Sequence, residues 1–368
     1  MRENHSENLD DGMHTFFQHL IANALDDEPQ HVQFMHTMAE KYSHNFRINF
    51  LRNTQKKDSR KVLVEADLLK ENFGLSREEY DAIQFAVTHI IHNAWRVRLN
   101  DTLDRYEENV AQLRVLIDFA LTTDSKFVFI GSSGIFQRIT EPKLLEKPVS
   151  ISDAIGQGYG ESKWVAEAII LKAIEEAGFK ALIIRVGLLC GGSERRAWSI
   201  HGWVPSLMQS ARHLNCIPTD EGLVDWLTTD HTAEAALRFL DYTTINRAPI
   251  FHLRHPHPVP WADIMRIIAS HLNVAAVPYK EWLARLVDAS QGESAETIPA
   301  TRLLRYYQSI VRTNPVGREA FALYHLDITE AQKAGLGQDD GIRKLNEDIV
   351  KRWLRHWGVS LDGPKARL

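Results

Sequence analysis

The chain has 368 residues, 44% hydrophobic and 25% charged, with a formal net charge of −5; that suits an ordinary globular protein long enough for one large or two modest domains. The acidic balance and the lack of a basic block argue against nucleic acid as a partner, and no stretch reaches the ~20 apolar residues of a membrane helix. Two cysteines, Cys190 and Cys216, build neither a disulfide framework nor a zinc site and suit core positions; the polar start, Met1 to Asp11, has no apolar signal region, so a cytoplasmic protein is expected.

Residues 1–45 form a helical N-terminal segment, with Phe16, Phe17, Leu20, Ile21 and Leu25 at helical spacing and its packing left open. Its one glycine is Gly12, so no G-x-x-G-x-x-G turn can be drawn there. Residues 48–51 read as a short strand, residues 61–67 as a better one ending in an acid, and Ser76 with Glu79 opens a helix as a capping box. Residues 89–94 form the next strand and residues 104–121 a long amphipathic helix. An apolar strand at 127–130 then runs into Gly131-Ser132-Ser133-Gly134. A proline-containing loop with Gly156 and Gly158 leads to a helix over 159–177, followed by a strand at 181–186.

Strands separated by helices of this length predict an α/β fold, a doubly wound, mostly parallel, Rossmann-like sheet occupying 46–250. Ligands bind such sheets at the carboxyl ends of the strands, where Asp67, Asn93 and Ser132 fall. Beyond Val186 the texture changes to glycines and a loop rich in Trp and Arg. Trp198, Trp203 and Trp226 with Arg195, Arg196 and Arg212 either line a substrate mouth or pack in a core, and the pattern leaves both open. Asp230 reads as the N-cap of a helix over 231–242, residues 248–253 as a strand and residues 261–272 as a helix. Residues 251–368 are expected to form a smaller, mainly helical cap interleaved with the core. His252, His255 and His257 lack carboxylate or cysteine partners at ligand spacing, so no metal site is predicted.

The chemistry concentrates between Phe127 and Lys163. Tyr159 and Lys163, four apart, share one face of a helix. A phenol with a pKa near ~10 is a poor proton shuttle at neutral pH unless a nearby cation favours its anion, and Lys163 is placed to be that cation. A serine at the end of the preceding strand would hold a substrate carbonyl while Tyr159 protonates its oxygen; Ser132 is favoured over Ser133, because neighbouring strand residues face opposite ways. A lone Tyr-x-x-x-Lys is a weak pattern, and the Ser-Ser strand end with the glycines before the helix turns it into a site. Hydride has no carrier among the side chains, so a nicotinamide cofactor is implied.

With these residues in hand, the chain resembles an extended short-chain dehydrogenase/reductase. More closely, it resembles the terminal thioester reductase domain of fungal nonribosomal-peptide-synthetase-like proteins, which include carboxylic acid and aminoadipate reductases. The likeness rests on Val62-Leu63-Val64-Glu65-Ala66-Asp67-Leu68, His89-Ile90-Ile91-His92-Asn93-Ala94-Trp95, Tyr159-Gly160-Glu161-Ser162-Lys163-Trp164-Val165-Ala166-Glu167, Ile184-Arg185-Val186-Gly187 and the tract from Trp203 to Leu227. It implies an NADPH-dependent reductase of an acyl thioester carried on a phosphopantetheine arm, giving an aldehyde, with alcohol as a further product. Ser132, Tyr159 and Lys163 would be catalytic. Asp67, His92, Asn93, Ala94 and Val186 would line the cofactor, Asn109 would support the site, Lys163 would also hold a ribose hydroxyl, and Arg52 would meet the 2′-phosphate of NADPH. The family's glycine-rich phosphate turn and first strand are missing, and neither a carrier nor an adenylating domain is present, so the acyl substrate is expected from another protein. Two alternatives stay open: a cofactor-deficient remnant acting as a binding domain, and another extended-family dehydrogenase of the nucleotide-sugar or sterol type.

Overall fold

Ser76 closes a capping box at the start of the first described helix, α1 (Arg77–Ala86): its hydroxyl accepts from the Glu79 N–H at 3.3 Å, and the Glu79 carboxylate accepts from the Ser76 N–H at 3.1 Å. The computed structural model describes residues 64–98, 101–139, 141, 143–191, 198, 200–244, 250–292, 294–310, 319–322, 325–337, 342 and 344–359. The N-terminal segment 1–45, the short strand at 48–51 and Arg52 lie outside the described residues, as do Arg195 and Arg196.

After α1 come strand β1 (His89–His92), helix α2 (Glu107–Thr123), strand β2 (Lys126–Ser132), helix α3 (Gly158–Ala177), strand β3 (Ala181–Val186) and, later, strand β4 (Ile250–Leu253). The sheet order is β1-β2-β3-β4, and β1 runs parallel to β2 with His89 opposite Lys126 and His92 opposite Phe129. The predicted α/β, Rossmann-like sheet is thereby present. α2 stops where Asp124 turns left-handed, and α3 where Gly178 does (φ 63°), the conformation glycine adopts without strain. Every residue of β3 is buried, as expected of a parallel strand covered on both faces.

Three local expectations need correction. Residues 64–67 are in no strand: the Asp67 N–H closes a turn onto the Phe73 carbonyl at 2.8 Å, so this end of the expected strand is already bending. β1 ends at His92, two residues earlier than the apolar pattern suggests. The helix expected from 231 is α5 in chain order (Thr229–Arg238) and has Thr228, not Asp230, at its N-cap; Asp230 sits inside the first turn, where a carboxylate still meets the positive helix end.

The chain divides into two compact units. One comprises the described residues within 1–139, 148–184 and 240–250, and its core is Leu113 and Ile117 of α2, Phe127 and Phe129 of β2, Val165, Ile169 and Ile170 of α3, and Ile183 of β3. The second comprises those within 140–147, 185–239 and 251–368, so it takes in residues 185–239 as well as the expected C-terminal cap. Its longer described helices are α4 (Trp203–Leu214), the α5 already given, α6 (Trp261–Leu272), α7 (Tyr279–Ala289) and α8 (Glu347–His356).

Tryptophan dominates the second core. Trp198, Trp203 and Trp226 are all buried, which settles the tryptophan tract as packing rather than a mouth. Trp226 meets Trp261 edge-on at 5.8 Å, Trp261 meets Phe321 at 4.6 Å, and the Trp261 indole donates to the Pro218 carbonyl at 3.0 Å. Cys190 and Cys216 are buried and free. His252 is fully buried: the Arg185 guanidinium at 3.3 Å can only donate, so His252 Nε2 accepts and Nδ1–H donates to the Asp327 carbonyl at 2.8 Å. Burial, then the Arg185 charge, hold this imidazole neutral, with a pKa pushed down to about 3. It is a core histidine, and among the described residues no cluster of three metal-ligating side chains occurs.

Arg254, Asp225 and Glu319 are buried in the same unit, with Arg254 Nε 3.5 Å from Asp225 Oδ2. One guanidinium cannot compensate two buried carboxylates, so burial and then the Asp225 charge keep Glu319 protonated far above the usual carboxylate range. A carboxyl whose folded pKa exceeds its unfolded value contributes full stability below ~4.5 and loses it as pH climbs toward the folded pKa. Glu319→Gln, which mimics the protonated form, should therefore remove part of the alkaline loss, flattening unfolding free energy against pH by about 1 kcal/mol per pH unit above pH 5. Urea melts of both proteins from pH 5 to 9 check this, and parallel slopes would refute a protonated Glu319.

Candidate active site

Ser132 is the last residue of β2, and its hydroxyl accepts from the Gly134 N–H at 3.0 Å as the chain tightens into the turn Ser133–Ile135. Tyr159 stands in the first turn of α3; its ring and the Ser132 hydroxyl both lie within 3.5 Å of where a Cβ on Gly134 would sit, and the neighbouring Ser132 side chain favours the phenolate. The structure thus brings Ser132, rather than Ser133, to the tyrosine.

Backbone crowding sets this meeting. A Cβ on Gly160 would run into the carbonyl oxygen of Gly134 and the Gln137 amide, and one on Gly158 into the backbone of Thr102 and Leu103. Both glycines let the first turn of α3 lie directly on neighbouring main chain. Gln137 fastens the approach: its side-chain N–H2 donates to the carbonyls of Ala154 (2.7 Å) and Gln157 (3.1 Å), and its oxygen accepts from the Gln157 N–H at 2.5 Å. Tyr106, fully buried, lies edge-on to Tyr159 at 6.2 Å and donates to the Arg98 carbonyl at 2.6 Å.

Lys163 is one turn beyond Tyr159, yet its ammonium is turned elsewhere. Nζ donates to the Ile130 carbonyl at 2.8 Å and lies 4.6 Å from the ring centres of both Trp95 and Phe129. Burial pushes its pKa down to about 7 against the opposing pull of Glu167. The Tyr159 phenol is raised above its ordinary value by burial, with only Ser132 lowering it. In this conformation, therefore, Lys163 does not supply the charge that the spacing suggested for the phenol.

His92, at the carboxyl end of β1, is buried, and its Nε2 has no hydrogen-bond partner. Burial and then the Lys163 charge press its pKa to about 4, so it is neutral at physiological pH. Asn93 and Ala94 follow, both exposed. Asp67 is buried, its carboxylate accepting from the Leu69 N–H at 3.2 Å and facing Lys70 at 3.5 Å. Asn109 is half-buried on α2, and Val186 is buried at the end of β3, where the chain belongs to the second unit. Sequence reasoning missed Trp95, Phe129 and Gln137. Trp95 directly follows the strand-end motif and Phe129 is in the apolar strand itself, but no spacing rule links either to Lys163; nothing in the sequence marks Gln137.

Residues 19–236 match the family model described as male sterility protein. The adenylate-forming reductase Nps10 of Heterobasidion annosum is 37% identical over 313 residues, 80% of this chain and 28% of that protein, so the chain spans under a third of that relative. Among solved structures, the terminal R domain from the myxalamid PKS-NRPS biosynthetic pathway superposes with a TM-score of 0.67 at 21% identity, covering 80% of this chain and 74% of that one. A thiolation-reductase di-domain from an archaeal non-ribosomal peptide synthetase gives 0.59 at 17%, covering 76% and 59%. These likenesses show the fold.

Because a Cβ on Gly160 would collide with the Gly134 carbonyl oxygen, which as backbone cannot yield cheaply, as well as with the Gln137 amide, Gly160→Ala should cost about 2 kcal/mol or more. Chemical denaturation of the variant against wild type checks this, and a loss under ~0.5 kcal/mol, the range of an ordinary surface substitution, would overturn the close approach.

Proposed function

The chain belongs to the male sterility protein family, an NAD(P)-binding group of oxidoreductases, and we propose that it reduces a carrier-bound acyl thioester with NADPH, releasing an aldehyde. The observation that carries this reading is the juxtaposition of Ser132, at the end of β2, with the Tyr159 ring around Gly134, with Lys163 one turn along α3.

The residues fit a nicotinamide cofactor in one respect that packing alone leaves unexplained: the buried His92 Nε2, at the end of β1, has no partner. His92, with Asn93 and Ala94 just beyond it and Asp67 at the turn before α1, would hold the adenosine side, Asn109 would support the site and Lys163 a ribose hydroxyl. Arg52 is our candidate for the 2′-phosphate and Val186 for a cofactor contact. The cofactor, when bound, supplies hydride to the thioester carbonyl carbon.

Ser132 donates to the carbonyl oxygen and orients it; Tyr159, beside Ser132, passes the phenolic proton as that oxygen gains charge. The hemithioacetal so formed collapses to the aldehyde as its C–S bond breaks and the hydroxyl proton passes to the departing carrier thiol. The raised phenol pKa keeps this proton in place until it is needed. Lys163 must leave the Ile130 carbonyl, or bridge from it to a ribose hydroxyl, before its charge reaches the phenol. The partner on this reading is an acyl-phosphopantetheine carrier.

One feature favours a second reading, a non-catalytic binding domain: the ammonium is satisfied by Ile130 and two aromatic rings rather than aimed at Tyr159. Cofactor binding separates the two. Calorimetric titration should give micromolar NADPH affinity with clear preference over NADH, and no binding at millimolar cofactor would leave the binding-domain reading. Given binding, Tyr159→Phe should lower thioester-dependent NADPH oxidation by about 10²-fold or more, as expected on losing a general acid, while NADPH affinity stays unchanged. Wild-type turnover in that variant would sink the mechanism. Lys163→Met should weaken both turnover and NADPH affinity; unchanged affinity would remove its ribose role.

A further inference from the structure

Trp95 belongs to none of the expected site residues, yet it touches the supports of two of them. Its half-buried indole presents a ring face to Lys163 Nζ at 4.6 Å, and Phe129, edge-on to the indole, meets the same amine at the same distance. Its indole N–H donates to the Ser162 hydroxyl at 3.1 Å, and Ser162 in turn donates to the Tyr159 carbonyl at 2.7 Å. Trp95 also packs edge-on to Phe129 (5.6 Å) and His92 (5.9 Å). One side chain thereby ties the carboxyl end of β1 to the backbone of Tyr159 and to the amine of Lys163.

We propose that Trp95 is a positioning residue: with Phe129 it forms an aromatic clamp that holds the buried Lys163 ammonium at the Ile130 carbonyl, while its N–H, through Ser162, fixes the first turn of α3. A desolvated cation gains most from an aromatic face when no carboxylate is paired with it, since the ring's negative face then replaces part of the lost hydration. The titratable groups around this amine are His92 on β1, held neutral, and Tyr159 and Glu167 on α3 itself. Without the ring faces, the same burial would drive the amine further toward its neutral form.

This inference rests on the Ser-Tyr-Lys reading for its relevance to turnover, but its test does not. The Lys163 side chain of the ligand-free protein, assigned by its loss in Lys163→Met, is titrated by carbon and nitrogen NMR in wild type and in Trp95→Leu. The ring-deleted variant should titrate lower by about half a unit to one and a half units, the pKa equivalent of a cation–π contact in a desolvated site. An unchanged or raised value would overturn the proposal. Should Trp95→Leu fail to fold, tryptophan fluorinated on its benzo ring and placed at position 95 keeps shape and N–H while draining the ring face. The Lys163 titration should then fall stepwise with fluorine number, and a flat series would overturn the proposal equally. Where wild type turns over, the acid limb of its pH profile should move with the Lys163 titration; where wild type is inactive, the catalytic reading fails and the ligand-free titration still decides the role of Trp95.

Discussion

At Gly158 and Gly160 the first turn of α3 lies directly against neighbouring main chain, and the candidate site depends on that contact. Gly158 and Gly160 leave no atom between this turn and the segments at 101–103 and 134. The helix start can then approach the end of β2 closely enough to set the Tyr159 ring beside Ser132. Gln137 locks the entering loop by three hydrogen bonds, so the approach is held from the strand side as well. Side chains larger than hydrogen at these points would push Tyr159 away from Ser132.

Burial then decides the electrostatics. The same closeness that brings Tyr159 to Ser132 withdraws Lys163 from water, and burial works in opposite directions on the two groups, raising the phenol and lowering the amine. The Ile130 carbonyl and the two ring faces replace part of the amine's hydration. His92 completes the set as a neutral imidazole with one nitrogen unspent. In the second unit the same trade is made with other residues: Glu146, buried enough for its pKa to rise to about 7, accepts from the backbone of His252, Glu330 and Ala331 at 2.8, 2.5 and 3.1 Å. There the carboxylate stitches β4 to the chain near 330, work that a partly buried loop residue can do because three N–H groups converge on it.

Periodicity and capping chemistry carried the elements well. The box at Ser76, the boundaries of β3 and α6, and the start of α3 within one residue all follow from local rules, because caps and apolar spacing are properties of contiguous residues. The errors fall where a distant partner decides. Residues 64–67 have strand-like composition but bend into a turn, β1 stops at His92, and the tryptophan tract could be read as either mouth or core until Trp226 was seen against Trp261 and Phe321 packed on Trp261.

The amino-acid sequence by itself determined the alternation of strands and helices, the family resemblance, and the shared helix face of Tyr159 and Lys163, since each is written in contiguous motifs or short-range spacing. It could narrow the serine to Ser132 only by strand alternation, and it placed the lysine's charge on the phenol. Only the tertiary structure brought Trp95, just beyond β1, and Phe129 from β2 around Lys163, aimed the amine at Ile130 and left His92 Nε2 without a partner. The physical reason is that spacing along a helix states which residues share a face, whereas the direction of a flexible side chain and the charge it keeps are set by whatever other segments the fold packs against that face.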